Sequence, residues 1–225
     1  MIAILSGLIA GLVHVFSGPD HLSAVAPLSV VHRHQTWMTG FRWGIGHASG
    51  VLVVGLLALV FRELLPLDLL SSWAERLVGV MLIGIGIWGF RRALENQVHT
   101  HEHLHDERRH VHIHVHRRET IHPHSSTGQP HDHGHAALGV GMLHGLAGSS
   151  HFWGVLPALA FPTKTLAASY LLSYGAGTVV AMISFSSVIG LVADWLSFNG
   201  LKAYRTLLGF SSGSAVLVGS YWLLV

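Results

Sequence analysis

Histidine is the most abundant ionisable residue of this chain: 20 His stand against 13 Lys plus Arg and 11 Asp plus Glu. Imidazole changes charge near physiological pH and is the commonest protein metal ligand, so the chemistry to look for is proton or metal-ion handling. His14, Asp20, His21, His47, His144 and His151 fall within long apolar stretches, whereas thirteen His crowd between 99 and 135. An ionisable side chain is costly in hydrocarbon, so each of those six is a functional candidate by default. With no cysteine and five Met, the chain lacks disulfides, thiolate zinc sites, iron–sulfur clusters, a cysteine nucleophile and a soft Cu(I) path. Imidazole with carboxylate suits divalent Ni, Co, Zn, Cu or Fe. Asp/His chains also make proton relays.

Spacing adds a constraint. His14 and His21 lie seven residues apart, about 10 Å along a continuous helix at roughly 1.5 Å per residue, and two nitrogens on one ion each sit only about 2 Å from it. Either the helix breaks between them or they mark successive stations on a path. Ser17-Gly18-Pro19-Asp20 supplies a break: Gly18 permits unusual backbone angles, Pro19 suits a first helical turn and Asp20 favours a helix N terminus. Gly148-Ser149-Ser150 can serve likewise before His151, with a Ser as the cap. Two broken helices facing each other are expected to present His14, Asp20 and His21 from one and His144 and His151 from the other.

The surrounding elements read as membrane helices. Half the residues are hydrophobic and 11% are charged, against roughly 25% charged in soluble domains, and the mean hydropathy is +0.50. A span needs about 20 mostly apolar residues. Six segments qualify, approximately 2–30, 41–61, 71–90, 136–160, 166–192 and 204–225, the third weakened by Glu75 and Arg76. The first has no basic region before it and runs past signal-peptide length, so it reads as a span. The expected class is an all-α integral membrane protein. Ten Lys and Arg fall on the side that includes 91–135 and three on the other, so the positive-inside rule puts both termini outside and the long loop in the cytoplasm of an inner-membrane protein.

An offset of 130 residues aligns Gly11, His14, Gly18, His21 and Val25 with Gly141, His144, Gly148, His151 and Val155. Gly44 and Gly46 match Gly175 and Gly177 after a one-residue adjustment, and Gly79 and Gly89 match Gly209 and Gly219. Close helix packing explains glycines alone, but not His at matched positions. Residues 1–98 and 136–225 are therefore expected to be two three-span repeats. Three is odd, so the second repeat enters the membrane inverted, as in many secondary transporters.

Residues 99–135 join the repeats and carry His99, His101, His103, His105, His110, His112, His114, His116, His122, His124, His131, His133 and His135. Alternating His in an extended chain project to one side and chelate in twos and threes. With acidic neighbours and no apolar core the segment is expected to be disordered until metal binds, acting as a cytoplasmic metal buffer.

His14-Val-Phe-Ser-Gly-Pro-Asp20-His21 with Leu22-Ser-Ala-Val25, and Gly44-Ile-Gly46-His47 on the second span, resemble the nickel/cobalt transporter family, most closely its short six-span UreH-like or sulfite-exporter-like branch. The resemblance implies that His14, Asp20, His21 and His47 bind a transported Ni2+ or Co2+, with Zn2+ also accommodated. It implies no prosthetic group, with the ion, the lipid bilayer and a cytoplasmic metallochaperone as partners, and no nucleic acid. Uptake is preferred over efflux of Zn2+, Co2+ or Ni2+. A sulfite or organosulfonate exporter would want Arg or Lys inside, or a helix N terminus free of the competing Asp20. A membrane metalloenzyme would want a His-Glu-x-x-His helix, and no apolar span carries one; that spacing occurs only at His101–His105 in the histidine loop.

Overall fold

The computed structural model describes residues 1–32, 35–61, 67–94, 98–105, 108–115, 134–147, 150–198 and 200–224. Its helices fall on the expected segments. The first segment is α1 (Ile2–Ser17) followed by α2 (Pro19–Val31), the second α3 (Thr36–Phe61) and the third α4 (Leu67–Leu94). The fourth is α5 (Gly134–Ala147) with α6 (Ser150–Leu159), the fifth α7 (Lys164–Phe198) and the sixth α8 (Leu201–Leu224). Among the described residues, Glu75–Leu94, Lys164–Ser197 and Leu201–Leu224 are long and apolar enough to cross a membrane by length and composition. The bent pair α1 and α2 qualifies as a fourth if counted as one span, and Ala136–Ala147 is a shorter apolar helix. Large apolar side chains face outward, Phe210 at 78% exposure and Leu217 at 73% among them, as hydrocarbon rather than water would favour.

The histidine loop differs from expectation. Residues 98–115 contain strands β1 (Val98–His105) and β2 (Arg108–Val115), paired antiparallel with His99 opposite His114, His101 opposite His112 and His103 opposite His110. The all-α class holds for the helical body, and this ribbon is the exception among the described residues. Val, Thr, Glu and Leu alternate with His through β1, and Val and Ile alternate with His from His110 onward in β2, a period-two pattern that favours a strand. His116, His122, His124, His131 and His133 lie outside the described residues, as do Gly148 and Ser149, and His135 is the second residue of α5.

Glycines set how the helices pack. Gly7 lies against the backbone of Tyr170 and Gly11 against that of Tyr174, leaving no room for a Cβ, so α1 and α7 run side by side in the same direction. Gly141 meets the Trp43 carbonyl and Gly145 that of His47, so α3 and α5 also run parallel. Gly40 faces Met182 and Ser186 while Gly44 faces Val179, which makes α3 and α7 antiparallel; Gly79 against Gly219 and Gly86 against Ser212 do the same for α4 and α8. Small residues allow such close backbone approach where the hydrophobic effect no longer drives helices together. A buried core of Val15, Val25, Trp43, Leu82 and Met182 fills the centre.

The short helix α2 is held at several points. Ser29 and Ser186 share a hydrogen bond of 2.7 Å, Ser186 Oγ donates to the Thr36 carbonyl at 2.5 Å, and Tyr204 Oη donates to the Val30 carbonyl at 3.3 Å. On the other side Tyr170 Oη donates to the Gly154 carbonyl at 2.9 Å, tying α6 to α7. Pro27 inside α2 and Pro157 inside α6 stand 130 residues apart, a further match at the repeat offset.

Candidate metal centre

The helix break comes from Gly18. Its φ of −90° and ψ of 102° leave the helical region, and Pro19 follows as the first residue of α2. A residue before proline is sterically pushed from the α region to extended angles, and proline's missing N–H costs nothing at a first helical position. The chain turns by 73° between α1 and α2. That turn carries His21 back toward His14, and the ring centroids lie 4.5 Å apart instead of roughly 10 Å along a straight helix.

Around His21 the other candidates converge. Asp20, in the first turn of α2, accepts hydrogen bonds from His21 Nδ1 at 2.9 Å and from His144 Nε2 at 3.2 Å. His21 Nε2 lies 3.3 Å from His47 Nε2. His144 approaches His21 with a centroid separation of 4.6 Å, and His14 lies 5.7 Å from His47. His21, His47 and His144 are fully buried, Asp20 is 5% exposed and His14 is half-buried. Five of the six sequence candidates thus form one cluster drawn from α1, α2, α3 and α5. His151 lies in α6, with its side chain outside the described set.

Two groups in the cluster have metal-ligand character: His14, His21 and His47, and Asp20, His21 and His144, each offering three ligand atoms within 4.8 Å of one another. Three ligands of a tetrahedral ion with bonds of about 2.1 Å stand roughly 3.4 Å apart, so either group reaches an ion after shifts of about 1 Å. Taking a carboxylate and several imidazoles out of water is expensive unless they are paired or bind an ion. The Asp20 hydrogen bonds meet part of that cost.

Aromatic residues complete the wall. Trp43 stacks on His47 with centroids 4.9 Å apart and planes 13° from parallel, and lies 5.3 Å from His144. Tyr174 lies 5.6 Å from His14. Among the described residues Trp43 Nε1 and Tyr174 Oη are buried without a hydrogen-bond partner. The sequence alone does not distinguish Trp43 from an interfacial or packing tryptophan, and does not single out Tyr174. The signal for Trp43 is its spacing four residues before His47, one turn along the same helix face. Toward the end of the bundle where α2 finishes and α3 starts, a cavity of about 520 Å³ is lined by His32, Gln35, Arg42, Met81, Trp88 and Arg92 among others. Arg42 stands five residues before His47 on α3, so this cavity lies about one and a half turns from the cluster.

No family model and no solved structure matches the chain. The chain is 32% identical over 224 residues to chloroplast protein FOR GROWTH AND FERTILITY 2 of Arabidopsis thaliana, covering 96% of this chain. It is 31% identical over 215 residues to FOR GROWTH AND FERTILITY 1 of the same plant. It spans 56% of the length of each of these two relatives. The urease accessory protein UreH of Bacillus sp. (strain TB-90) is 34% identical over 222 residues, with 96% of this chain and 88% of that protein covered. The chain belongs to the UreH family.

Proposed function

We propose that the chain is a secondary transporter of a divalent transition-metal ion, Ni2+ or Co2+ ahead of Zn2+, which binds as substrate at the His21 cluster. The observation that carries this reading is the convergence of four imidazoles and one carboxylate at a helix break inside an apolar bundle. Ion sites of transporters lie near the midplane, where broken helices face a cavity. The name of the UreH relative supports the ion, since an accessory role to urease is one that nickel supply would fill. Nothing in the cluster resembles an anion site, because its one fixed charge is the Asp20 carboxylate.

Packing registers support two repeats of opposite orientation and six crossings. Gly46 lies against Leu138 and Met142, and Gly177 against Leu8 and Leu12, so both partners are displaced by 130 or 131 residues. Since α1 runs with α7, α3 with α5, and α3 against α7, the first helices of the two halves run in opposite directions. In this reading both termini face outward, the histidine loop is cytoplasmic and buffers metal, uptake is the working direction, and the chain is no enzyme. The test is Ni2+ and Co2+ accumulation in cells expressing the chain. His21→Ala and His47→Ala should each reduce accumulation to the level of cells without it; accumulation equal to wild type in either variant overturns the site.

A further inference from the structure

We infer that the cluster holds two overlapping ion stations on opposite sides of the His21 ring, His14, His21 and His47 forming one and Asp20, His21 and His144 the other, occupied one at a time. This rests on the transporter reading and deepens it. The two nitrogens of His21 face different partners: Nε2 points to His47 at 3.3 Å, and Nδ1 points to Asp20 at 2.9 Å. His14 and His144 approach the same ring at 4.5 and 4.6 Å between centroids, one contributed by α1 and the other by α5. Each set of three gathers its ligand atoms within 4.8 Å, and His21 is the residue the two sets share.

Coordination chemistry makes the stations exclusive. A neutral imidazole binds an ion through one nitrogen and carries its proton on the other. An ion at Nε2 leaves the Nδ1–H to Asp20, the carboxylate–histidine–metal arrangement that orients ligands in metal sites. An ion at Nδ1 takes Asp20 as a ligand, and the proton then sits on the nitrogen facing His47. The ion therefore passes His21 as the imidazole exchanges one nitrogen for the other. His14 is the half-buried member of the three-imidazole set, while Asp20, His21 and His144 are all buried.

The test uses the full chain in detergent with the thirteen loop histidines replaced by Ser, titrated with Co2+, whose visible spectrum reports the number and kind of ligands. The parent should bind one Co2+ per chain. His47→Gln and His144→Gln, close to His in size, should each still bind one Co2+ with different spectra, the first retaining the carboxylate and the second retaining an imidazole-only set. Each should lose at least tenfold in cellular uptake, because an ion that reaches one station can no longer pass to the other. Loss of Co2+ from either variant that still elutes as a folded monodisperse species, or identical spectra from both, means one indivisible site and overturns the two stations. Two Co2+ bound at once in the parent overturns the exclusivity. A parent that binds none overturns the transporter reading itself.

Discussion

His21 and His47 stand 26 residues apart in sequence, yet their Nε2 atoms lie 3.3 Å from each other in the middle of the bundle. Since Asp20 takes the Nδ1–H of His21, the His47 Nε2–H donates across this gap. An ion bound between the two rings would require the His47 proton to sit on Nδ1, freeing both Nε2 atoms as ligands. Burial of both rings keeps water from competing for that place.

Removing the charge of Asp20 while keeping its shape separates its electrostatic role from packing. Asp20→Asn should weaken Ni2+ binding by about 10- to 100-fold, the usual effect of disturbing groups that orient metal ligands. Calorimetric titration of the full chain with the loop histidines replaced by Ser measures it; an unchanged Kd would remove Asp20 from the site.

Binding should also appear as stability. In the same loop-substituted chain, Ni2+ at a hundredfold its Kd should stabilise the fold by about 2.7 kcal/mol, reversed by a chelator. His21→Ala should show no such shift and sulfite should produce none. A thermal melt in detergent reads all three.

The closeness of α3 and α5 predicts a sharp contrast between two glycines. A methyl at Gly141 would run into the Trp43 carbonyl, whereas one at Gly84 meets nothing within 4 Å. Gly141→Ala should destabilise the protein by about 1–3 kcal/mol, the range for overpacking. Gly84→Ala should leave the melting temperature unchanged or slightly raised. Equal shifts for the two variants would contradict the packing of α3 on α5.

The absence of native cysteine makes sidedness simple to measure. Thr163 is exposed in the connection before α7. A membrane-impermeant maleimide added to intact cells should label Thr163→Cys, and should label Ser126→Cys only after permeabilisation. The reverse pattern would place the histidine loop outside.

Sequence alone carried the helix positions and the break at Gly18, because Gly-Pro-Asp is a local steric signal and the spans are apolar runs. His14, Asp20, His21, His47 and His144 were legible too, since ionisable groups stand out against apolar neighbours. What spacing could not decide was whether His14 and His21 meet or lie in series; that depended on the 73° turn, a tertiary angle that no pattern encodes. Trp43 packs in the core, and its place beside His47 was not legible because a tryptophan on a membrane helix has the same sequence signature at an interface as beside a buried imidazole. The ribbon of 98–115 was overlooked because its alternation was read as chelation, although alternation is equally the pattern of a strand.

The pairing of α1 with α7 and of α3 with α5 makes each half of the chain incomplete without the other. As the first four helices emerge from the ribosome, Asp20 sits in the bilayer without the hydrogen bond from His144, and Gly7 and Gly11 have no helix to lie against. Assembly therefore finishes only after α7 and α8 have been made. The two halves are interlocked rather than stacked, each helix of the first packing against one of the second.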